Sequence, residues 1–124
     1  MKGLVVLVTG GRVKIGFQIV LKLLRAGATV VATSRFPHDC AMRLTSLPDS
    51  EEWKDRLQVY GIDLRDMGAV ERLSSHLLQH LPRLDAIVNN ACQTVRREPE
   101  YYKHLMALEV SVSNIEYSVD VGCR

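Results

Sequence analysis

The sequence predicts an α/β fold in which about four parallel strands form a doubly wound sheet. Short apolar segments with β-branched residues recur along the chain, and segments with apolar residues at helical spacing separate them. This alternation of strand and helix is repeated four times. Parallel strands need a crossover connection, usually a helix, and the crossover is almost always right-handed. The order of the segments therefore favours a right-handed strand–helix–strand series.

The predicted strands follow from four apolar segments. Residues 4–8 are continuously apolar, as expected for a strand that is covered on both faces. Residues 29–33 and 57–62 are the second and third strands, and both contain β-branched residues. Residues 86–88 form the fourth strand, which is also the shortest.

The first two predicted helices lie between these strands. The first spans residues 16–26, where apolar residues recur on one face and Gly27 follows as a C-terminal stop. The second spans residues 37–55 and has a less regular pattern. Because Pro48 cannot be accommodated inside a helix, we expect this second helix to be interrupted there.

The third helix is predicted to begin at Asp66, a residue type that caps helix N-termini, and to end at Pro82. Its apolar face consists of Val70, Leu73, Leu77 and Leu81. After the fourth strand, residues 99–110 have a helical pattern and residues 111–124 have no clear period.

We interpret residues 1–124 as a partial domain, with strand–helix units in residues 1–92 and a helix plus an irregular tail in residues 93–124. A complete doubly wound domain has about six strands. The fold is therefore expected to be truncated after about four strands. Truncation there leaves the fourth strand near an open sheet edge, which favours self-association.

Composition and charge exclude several classes of partner. The chain has 124 residues and a formal net charge of +2, which is too small to favour nucleic acid or a membrane surface. No apolar segment is long enough to cross a bilayer. The three cysteines, Cys40, Cys92 and Cys123, are far apart in the sequence, a pattern typical of reduced thiols. We therefore expect a cytoplasmic protein.

The junction between the first strand and the first helix is rich in glycine. Gly10 and Gly11 permit a tight turn, since glycine reaches positive φ without steric cost. The helix that follows offers backbone amides and the positive end of its dipole, which together suit a phosphate group. A phosphate-binding turn at this position makes the predicted sheet Rossmann-like.

These residues resemble the Thr-Gly-x-x-x-Gly-x-Gly turn of the classical short-chain dehydrogenases/reductases. Thr9, Gly10, Ile15 and Gly16 match that turn, whereas Lys14 replaces its middle glycine. We expect Lys14 to direct its charge at a phosphate. The resemblance implies that the phosphates of a dinucleotide are wrapped by Gly10, Gly11, Arg12, Lys14, Ile15 and Gly16.

The end of the second strand favours NADP(H) over NAD(H). In dinucleotide-binding folds an acid at this point accepts from the ribose 2′-hydroxyl, or an arginine faces the 2′-phosphate of NADP. Ser34 provides no acid, and Arg35 provides a planar guanidinium suited to phosphate. Arg12 and Lys14 are expected to complete a basic cluster beside it.

Two further segments resemble motifs of the family. Asp63 and Leu64 follow the third strand and resemble a dipeptide whose acid accepts a hydrogen bond from the adenine amino group. After the fourth strand, Asn89-Asn90-Ala91 resembles the family's Asn-Asn-Ala-Gly motif on the ribose side. Cys92 stands at the glycine of that motif, and we interpret it as a small buried thiol without chemistry. The resemblance covers approximately residues 4–91.

The catalytic residues of the family are not matched. Classical members use a Ser, a Tyr and a Lys, with the Tyr and Lys four residues apart on one helix face. The four tyrosines here are followed at that spacing by Leu64, Leu105, Met106 and Val121. We therefore assign no catalytic residue and expect this chain alone to be inactive. The resemblance implies that a longer parent would transfer hydride between NADP(H) and a small carbonyl or alcohol.

Two alternative functions stay open. The chain is either half of an oxidoreductase or a non-catalytic, NADP(H)-responsive binding module that uses the open sheet edge. Extended epimerase/dehydratase proteins are a third possibility, because their turn also begins Thr-Gly-Gly. Val13 stands where those proteins have a glycine, and Asn89-Asn90-Ala91 favours the classical branch.

A metal site is not expected. His76 and His80 are four residues apart on the third helix, a spacing that can hold a metal ion. No third ligand is close in the sequence, and the two histidines are predicted to lie opposite the apolar face. We interpret them as a solvated pair.

Overall fold

Five strands form one sheet in the structure, a computed structural model that describes residues 1–92, 99–112 and 118–120. The strands are β1 (Val5–Thr9), β2 (Thr29–Ser34), β3 (Leu57–Gly61), β4 (Ala86–Val88) and β5 (Ser118–Asp120). Their order in the sheet is β4-β1-β2-β3-β5. β1 to β4 are parallel, as the sequence predicts, and β5 pairs with β3 in the antiparallel direction.

β5 was not predicted. It has only three residues, Ser118–Asp120, and so short a segment carries no period that could be recognised in the sequence. The free edge of β3 supplies its hydrogen bonds, with Val59 opposite Val119. Cys123 lies outside the described residues.

Within the described ranges four α-helices accompany the sheet: α1 (Lys14–Arg25), α2 (Pro37–Thr45), α3 (Met67–His80) and α4 (Lys103–Val112). α1 begins two residues before the predicted start. It ends at Arg25, and Gly27, which has φ of 97°, follows as the predicted C-terminal stop. Asp66 caps α3 as predicted, because its Oδ1 accepts a hydrogen bond from the backbone N–H of Ala69 at 3.1 Å. The predicted helix near residue 99 begins as a 3₁₀ turn, Pro99–Tyr102, and continues as α4.

The predicted second helix is shorter than expected. After α2 ends, two 3₁₀ turns follow, Ser50–Glu52 and Lys54–Arg56. The interruption coincides with Asp49, whose Oδ2 accepts from Trp53 Nε1 at 3.0 Å and from Arg25 Nε at 2.7 Å. At the end of α2, Ser50 Oγ donates to Thr45 O at 2.9 Å, a side-chain hydrogen bond to a carbonyl that the helix leaves without a helical partner.

The sheet is covered on both faces, but unequally. On one face α1 and α2 pack against alternate strand residues, and the buried strand residues there are Val6, Val8, Val30, Ala32, Leu57 and Val59. On the other face α3 covers a smaller cluster of Val31, Tyr60 and Leu77. Five consecutive residues of β2, Val30 to Ser34, are buried, because both faces of this central strand are covered.

β4 lies at the edge of the sheet, as predicted. Its residues pair only with β1 among the described strands, with Ile87 opposite Leu7. Asp85 fixes the start of this pairing, because its Oδ2 accepts from Val5 N at 2.8 Å and its N–H donates to Val5 O at 2.9 Å. Ile87 is 54% exposed, so an apolar side chain is presented at this edge. Across the described ranges no helix combines the length and the apolar character that crossing a membrane requires.

Candidate dinucleotide site

The turn between β1 and α1 is bound directly to the end of β2. The backbone N–H groups of Gly10 and Gly11 both donate to Thr33 O at 3.0 Å. Gly10 has φ of 73°, a conformation that favours glycine. These two amides are therefore used within the protein, and the contribution of the two glycines is the shape of the turn.

Gly16 allows the start of α1 to approach this turn. A Cβ atom at Gly16 would lie 2.0 Å from Gly10 O and 2.5 Å from Asn90 Nδ2. No side chain fits at that distance from a backbone oxygen. The helix start, the turn and the end of β4 thus meet at one position that only glycine can occupy.

Lys14 occupies the place of the family's middle glycine and keeps a glycine-like backbone. Its φ is 53°, and in the described part of the chain it is the only residue other than glycine with positive φ. Such a backbone costs a residue with a Cβ about 1–2 kcal/mol. The side chain of Lys14 is exposed beside the exposed Ile15. The strain is retained at a site where a positive charge stands next to a helix N-terminus.

The N-terminus of α1 is not capped by the side chain of its N-cap residue. Val13 is the N-cap residue and makes no side-chain hydrogen bond, and the first turn of α1 contains no acidic residue. The first N–H groups of a helix have no partner within the helix. They and the helix dipole suit an anion at this end.

Thr9 and Asn90 join the ends of β1 and β4. Thr9 Oγ1 accepts from the backbone N–H groups of Asn90 at 3.1 Å and Ala91 at 3.0 Å. The Nδ2 of Asn90 donates to Thr9 O at 3.3 Å and Gly10 O at 3.2 Å. Asn90 therefore fixes the backbone of the turn, while its neighbour Asn89 is exposed. Cys92 is exposed as well, so its interpretation as a buried thiol is wrong.

Arg35 lies at the end of β2, beside the rings of Phe36 and Tyr102, which stack on each other with centroids 5.9 Å apart. Its guanidinium carbon is 5.5 Å from the centroid of Phe36 and 5.0 Å from that of Tyr102. Ser34 is buried, and its Oγ accepts from Phe36 N at 3.0 Å, so its role at this strand end is structural. Tyr102 comes from the 3₁₀ turn that precedes α4, and its contact with Arg35 depends on the packing of α4 against α2.

Arg12 also lies against Phe36, and it pairs with Asp39 of α2. The Arg12 guanidinium is 5.2 Å from the Phe36 centroid, and its Nη1 donates to Asp39 Oδ2 at 2.9 Å. Burial acts to raise the pKa of Asp39, but the hydrogen bonds from Arg12 and Arg43 outweigh it, and the pKa of Asp39 lies below its ordinary value. Sequence reasoning missed Asp39 and Phe36, because nothing local links either residue to Arg12.

Asp63, the predicted adenine contact, is bound by a neighbouring arginine. Arg65 donates to it from Nε at 3.0 Å and from Nη2 at 2.6 Å. The hydrogen bonds from the side chain and the backbone of Arg65 lower the pKa of Asp63 to about 2, and the charge of Arg35 acts in the same direction. The carboxylate is thus ionised near Arg35, and the adjacent Leu64 is 43% exposed.

The histidine pair of α3 was interpreted incorrectly. His76 is half-buried rather than solvated, and its Nε2 lies 3.3 Å from the hydroxyl of Tyr60 in β3. His80 stacks on His76 with a centroid distance of 4.0 Å. His76 lies at the margin of the apolar face of α3. Because the Cα–Cβ bonds of a helix tilt towards its N-terminus, a side chain at this margin still reaches the sheet. The described residues contain no group of three or more His, Cys, Asp or Glu side chains placed to hold a metal ion.

The predicted site residues meet at the carboxyl edge of the parallel strands. The turn after β1, Arg35 after β2, Asp63 after β3 and Asn89-Asn90-Ala91 after β4 all leave the sheet at this edge. Open α/β sheets bind their ligands there.

Several known proteins are similar to this chain in sequence and in fold. The chain is 39% identical over 95 residues to the uncharacterized protein R665 of Acanthamoeba polyphaga mimivirus, covering 72% of this chain and 20% of that protein. It is 32% identical over 119 residues to the NADP-dependent 3-hydroxy acid dehydrogenase YdfG of Escherichia coli K12, covering 96% of this chain and 43% of YdfG. The Pseudomonas aeruginosa RhlG/NADP active-site complex superposes with a TM-score of 0.63 at 32% identity, over 90% of this chain and 44% of RhlG.

The chain thus spans less than half the length of these curated relatives. The family described as short chain dehydrogenase matches residues 4–121, nearly the whole chain. The turn after β1 and the motif after β4 lie within this match. The chain belongs to the short-chain dehydrogenase/reductase family.

Proposed function

We propose that this chain is the NADP(H)-binding portion of a short-chain dehydrogenase/reductase oxidoreductase. The observation that carries the proposal is the position of Arg35 relative to the turn after β1. Because Gly10 and Gly11 both donate to Thr33 O, the turn is held against the end of β2, two residues before Arg35. An arginine after this strand end, near the N-terminus of α1, supports a site for a 2′-phosphate next to a pyrophosphate.

Each predicted residue has a role in this proposal. The pyrophosphate lies at the N-terminus of α1, within the turn formed by Gly10, Gly11 and Gly16, and Lys14 and the first-turn amides at Ile15 contact it. Arg35 and Arg12 bind the 2′-phosphate. Asp63 accepts from the adenine amino group once Arg65 turns aside, and Leu64 lies alongside the base. Thr9 and Asn90 hold the turn, and Asn89 and Ala91 line the ribose side.

The relatives support the choice of coenzyme. RhlG is seen in complex with NADP, and YdfG is named as an NADP-dependent enzyme. The end of β2 in this chain carries Ser34 and Arg35 and no acid, which removes the acceptor that a 2′-hydroxyl would need.

The proposed activity belongs to a longer protein. Hydride transfer between NADP(H) and a small carbonyl or alcohol needs a Tyr and a Lys four residues apart, and no tyrosine in this sequence has a lysine at that spacing. In this proposal the chain binds the coenzyme without turning over a substrate. A cytoplasmic location is part of the proposal, consistent with the free thiols of Cys40 and Cys92.

A coenzyme titration tests the proposal. NADPH fluorescence should saturate as this chain is added, and NADH should bind more weakly. NADPH oxidation with a panel of aldehydes and ketones should be absent. Failure to bind NADPH contradicts the binding function, and turnover contradicts the absence of catalysis.

A second candidate is a binding module that self-associates through β4. The exposure of Ile87 at a sheet edge favours it. Sedimentation of the chain and of Ile87→Lys separates the two candidates. A dimer that Ile87→Lys converts to a monomer supports the module, and a monomer for both chains contradicts it.

A further inference from the structure

The carboxylate of Asp39 connects two arginines at the start of α2. Its Oδ2 accepts from Arg12 Nη1 at 2.9 Å and from Arg43 Nε at 2.8 Å. The side chains of Arg12 and Asp39 are only 18% and 13% exposed, whereas that of Arg43 is 48% exposed. The pair between Arg12 and Asp39 is therefore largely shielded from water, where charge-assisted hydrogen bonds are stronger.

Both arginines of the proposed 2′-phosphate site contact one aromatic ring. Arg12 is 5.2 Å and Arg35 is 5.5 Å from the centroid of Phe36. A guanidinium that rests its flat face on a ring keeps its N–H groups in plane and available to a ligand. Asp39 uses one nitrogen of Arg12. The remaining donors of Arg12 are left for another anion.

Two guanidiniums that bind the same phosphate repel each other, so such a site needs a group that holds them in position before the ligand binds. Asp39 meets this need for Arg12, since its negative charge offsets the repulsion and its hydrogen bond limits the conformations of a long side chain. Arg35 is restrained differently, by the ring of Tyr102 at 5.0 Å.

We propose that Asp39 is a positioning residue that determines coenzyme preference, because it holds Arg12 beside Arg35 so that both guanidiniums grip the 2′-phosphate. The proposal rests on the proposed NADP(H)-binding function. NADH lacks the 2′-phosphate, so Asp39 affects NADPH binding and leaves NADH binding nearly unchanged.

Repulsion between Asp39 and the 2′-phosphate would have the opposite effect on NADPH binding. A carboxylate near a phosphate dianion repels it, so if Asp39 merely lay close to the site, its removal would strengthen NADPH binding. Positioning and repulsion thus predict changes of opposite sign for the same substitution.

The experiment compares dissociation constants for NADPH and NADH, measured by fluorescence titration, in the unmodified chain and in Asp39→Asn. We expect the preference for NADPH to fall about tenfold, the effect of misplacing one charge-assisted contact to phosphate. Asp55→Asn is the matched control. It removes the same charge from an exposed residue that precedes β3, at the sheet edge opposite the proposed site, and it should preserve the preference for NADPH.

A double-substitution cycle separates positioning from a general loss of structure. In the Arg12→Met background, Asp39→Asn should have no further effect on the preference, because the residue being positioned is gone. Asp39→Glu should restore part of the preference. An unchanged or increased preference in Asp39→Asn overturns the proposal, as does an equal loss of both coenzymes. If the unmodified chain binds neither coenzyme, the proposed function itself fails; normal NADPH binding with an unaffected Asp39→Asn defeats only the role of Asp39.

Discussion

Asn90 and Thr9 fix each other across the ends of two neighbouring strands. The hydroxyl of Thr9 accepts from the Asn90 N–H at 3.1 Å, and the side chain of Asn90 donates to Thr9 O at 3.3 Å. This reciprocal pair connects two motifs that are 81 residues apart in the sequence. The turn after β1 therefore takes its shape partly from β4.

Replacing Asn90 tests this connection. Asn90→Ala removes two side-chain hydrogen bonds to half-buried carbonyl groups and should lower the free energy of unfolding by about 1–2 kcal/mol. The measurement is urea denaturation followed by circular dichroism. The matched control is Asn89→Ala, an exposed position, which should change stability by less than about 0.5 kcal/mol. Equal effects at the two positions would contradict the structural role of Asn90.

Replacing Gly16 tests the close approach of α1 to the turn. In Gly16→Ala the new Cβ would meet Gly10 O at 2.0 Å, so the helix start must move, at a cost of about 1–3 kcal/mol or more. In Gly68→Ala the Cβ would meet the flexible end of Arg72 at 3.2 Å and Asp66 Oδ1 at an ordinary contact distance of 3.4 Å, and the gain in helix propensity should leave stability unchanged or higher. Thermal unfolding distinguishes the pair, and a fully stable Gly16→Ala would show that the approach is looser.

Replacing Lys14 separates backbone strain from charge. Lys14→Gly should raise the free energy of unfolding by about 0.5–1 kcal/mol, because relief of a positive φ outweighs the entropy of glycine. Lys14→Ala keeps the strain and should not stabilise the chain. Both variants lose the charge, so under the proposed function both should bind NADPH more weakly. Tighter binding by Lys14→Gly would mean that the lysine side chain obstructs the pyrophosphate.

Replacing Arg35 tests the coenzyme assignment directly. Arg35→Ala should weaken NADPH binding by about 1.5–3 kcal/mol if a charge-assisted hydrogen bond to phosphate is lost. NADH binding should change much less, because NADH has no group for this guanidinium. Titration of both coenzymes provides the measurement, and equal losses would contradict the assignment to NADP(H).

The depressed pKa of Asp63 predicts a loss of stability in acid. Its pKa is lowered to about 2 from an ordinary value of 3.8, chiefly by the hydrogen bonds from Arg65. A carboxylate with a lowered pKa stabilises the folded state fully above pH 4, and that contribution is lost as the pH falls towards 2. Asp63 is 37% exposed, so solvent screens much of the effect. Urea midpoints from pH 6 to pH 2.5 should therefore fall slightly less in Asp63→Asn than in the unmodified chain, and parallel curves would contradict this.

The four parallel strands, the cap of α3, the stop after α1 and the motif positions could be predicted because each is encoded locally. The apolar segment in residues 4–8, the cap at Asp66 and the stop at Gly27 depend on neighbours within a few positions. The same holds for the placement of Arg35 and Asp63, since each follows a predicted strand directly. Parallel strands then bring their carboxyl ends to one edge without further information.

Contacts between distant residues were decided only by the tertiary structure. The pairing of Arg12 with Asp39, the contact of Tyr102 with Arg35 and the turn of His76 towards Tyr60 each join separate elements. No local period specifies them, because they depend on the angle and depth at which a helix packs on the sheet. The sequence by itself thus determined which groups reach the carboxyl edge. Packing decided which of them hold one another in place, since burial and mutual distance are properties of the assembled fold.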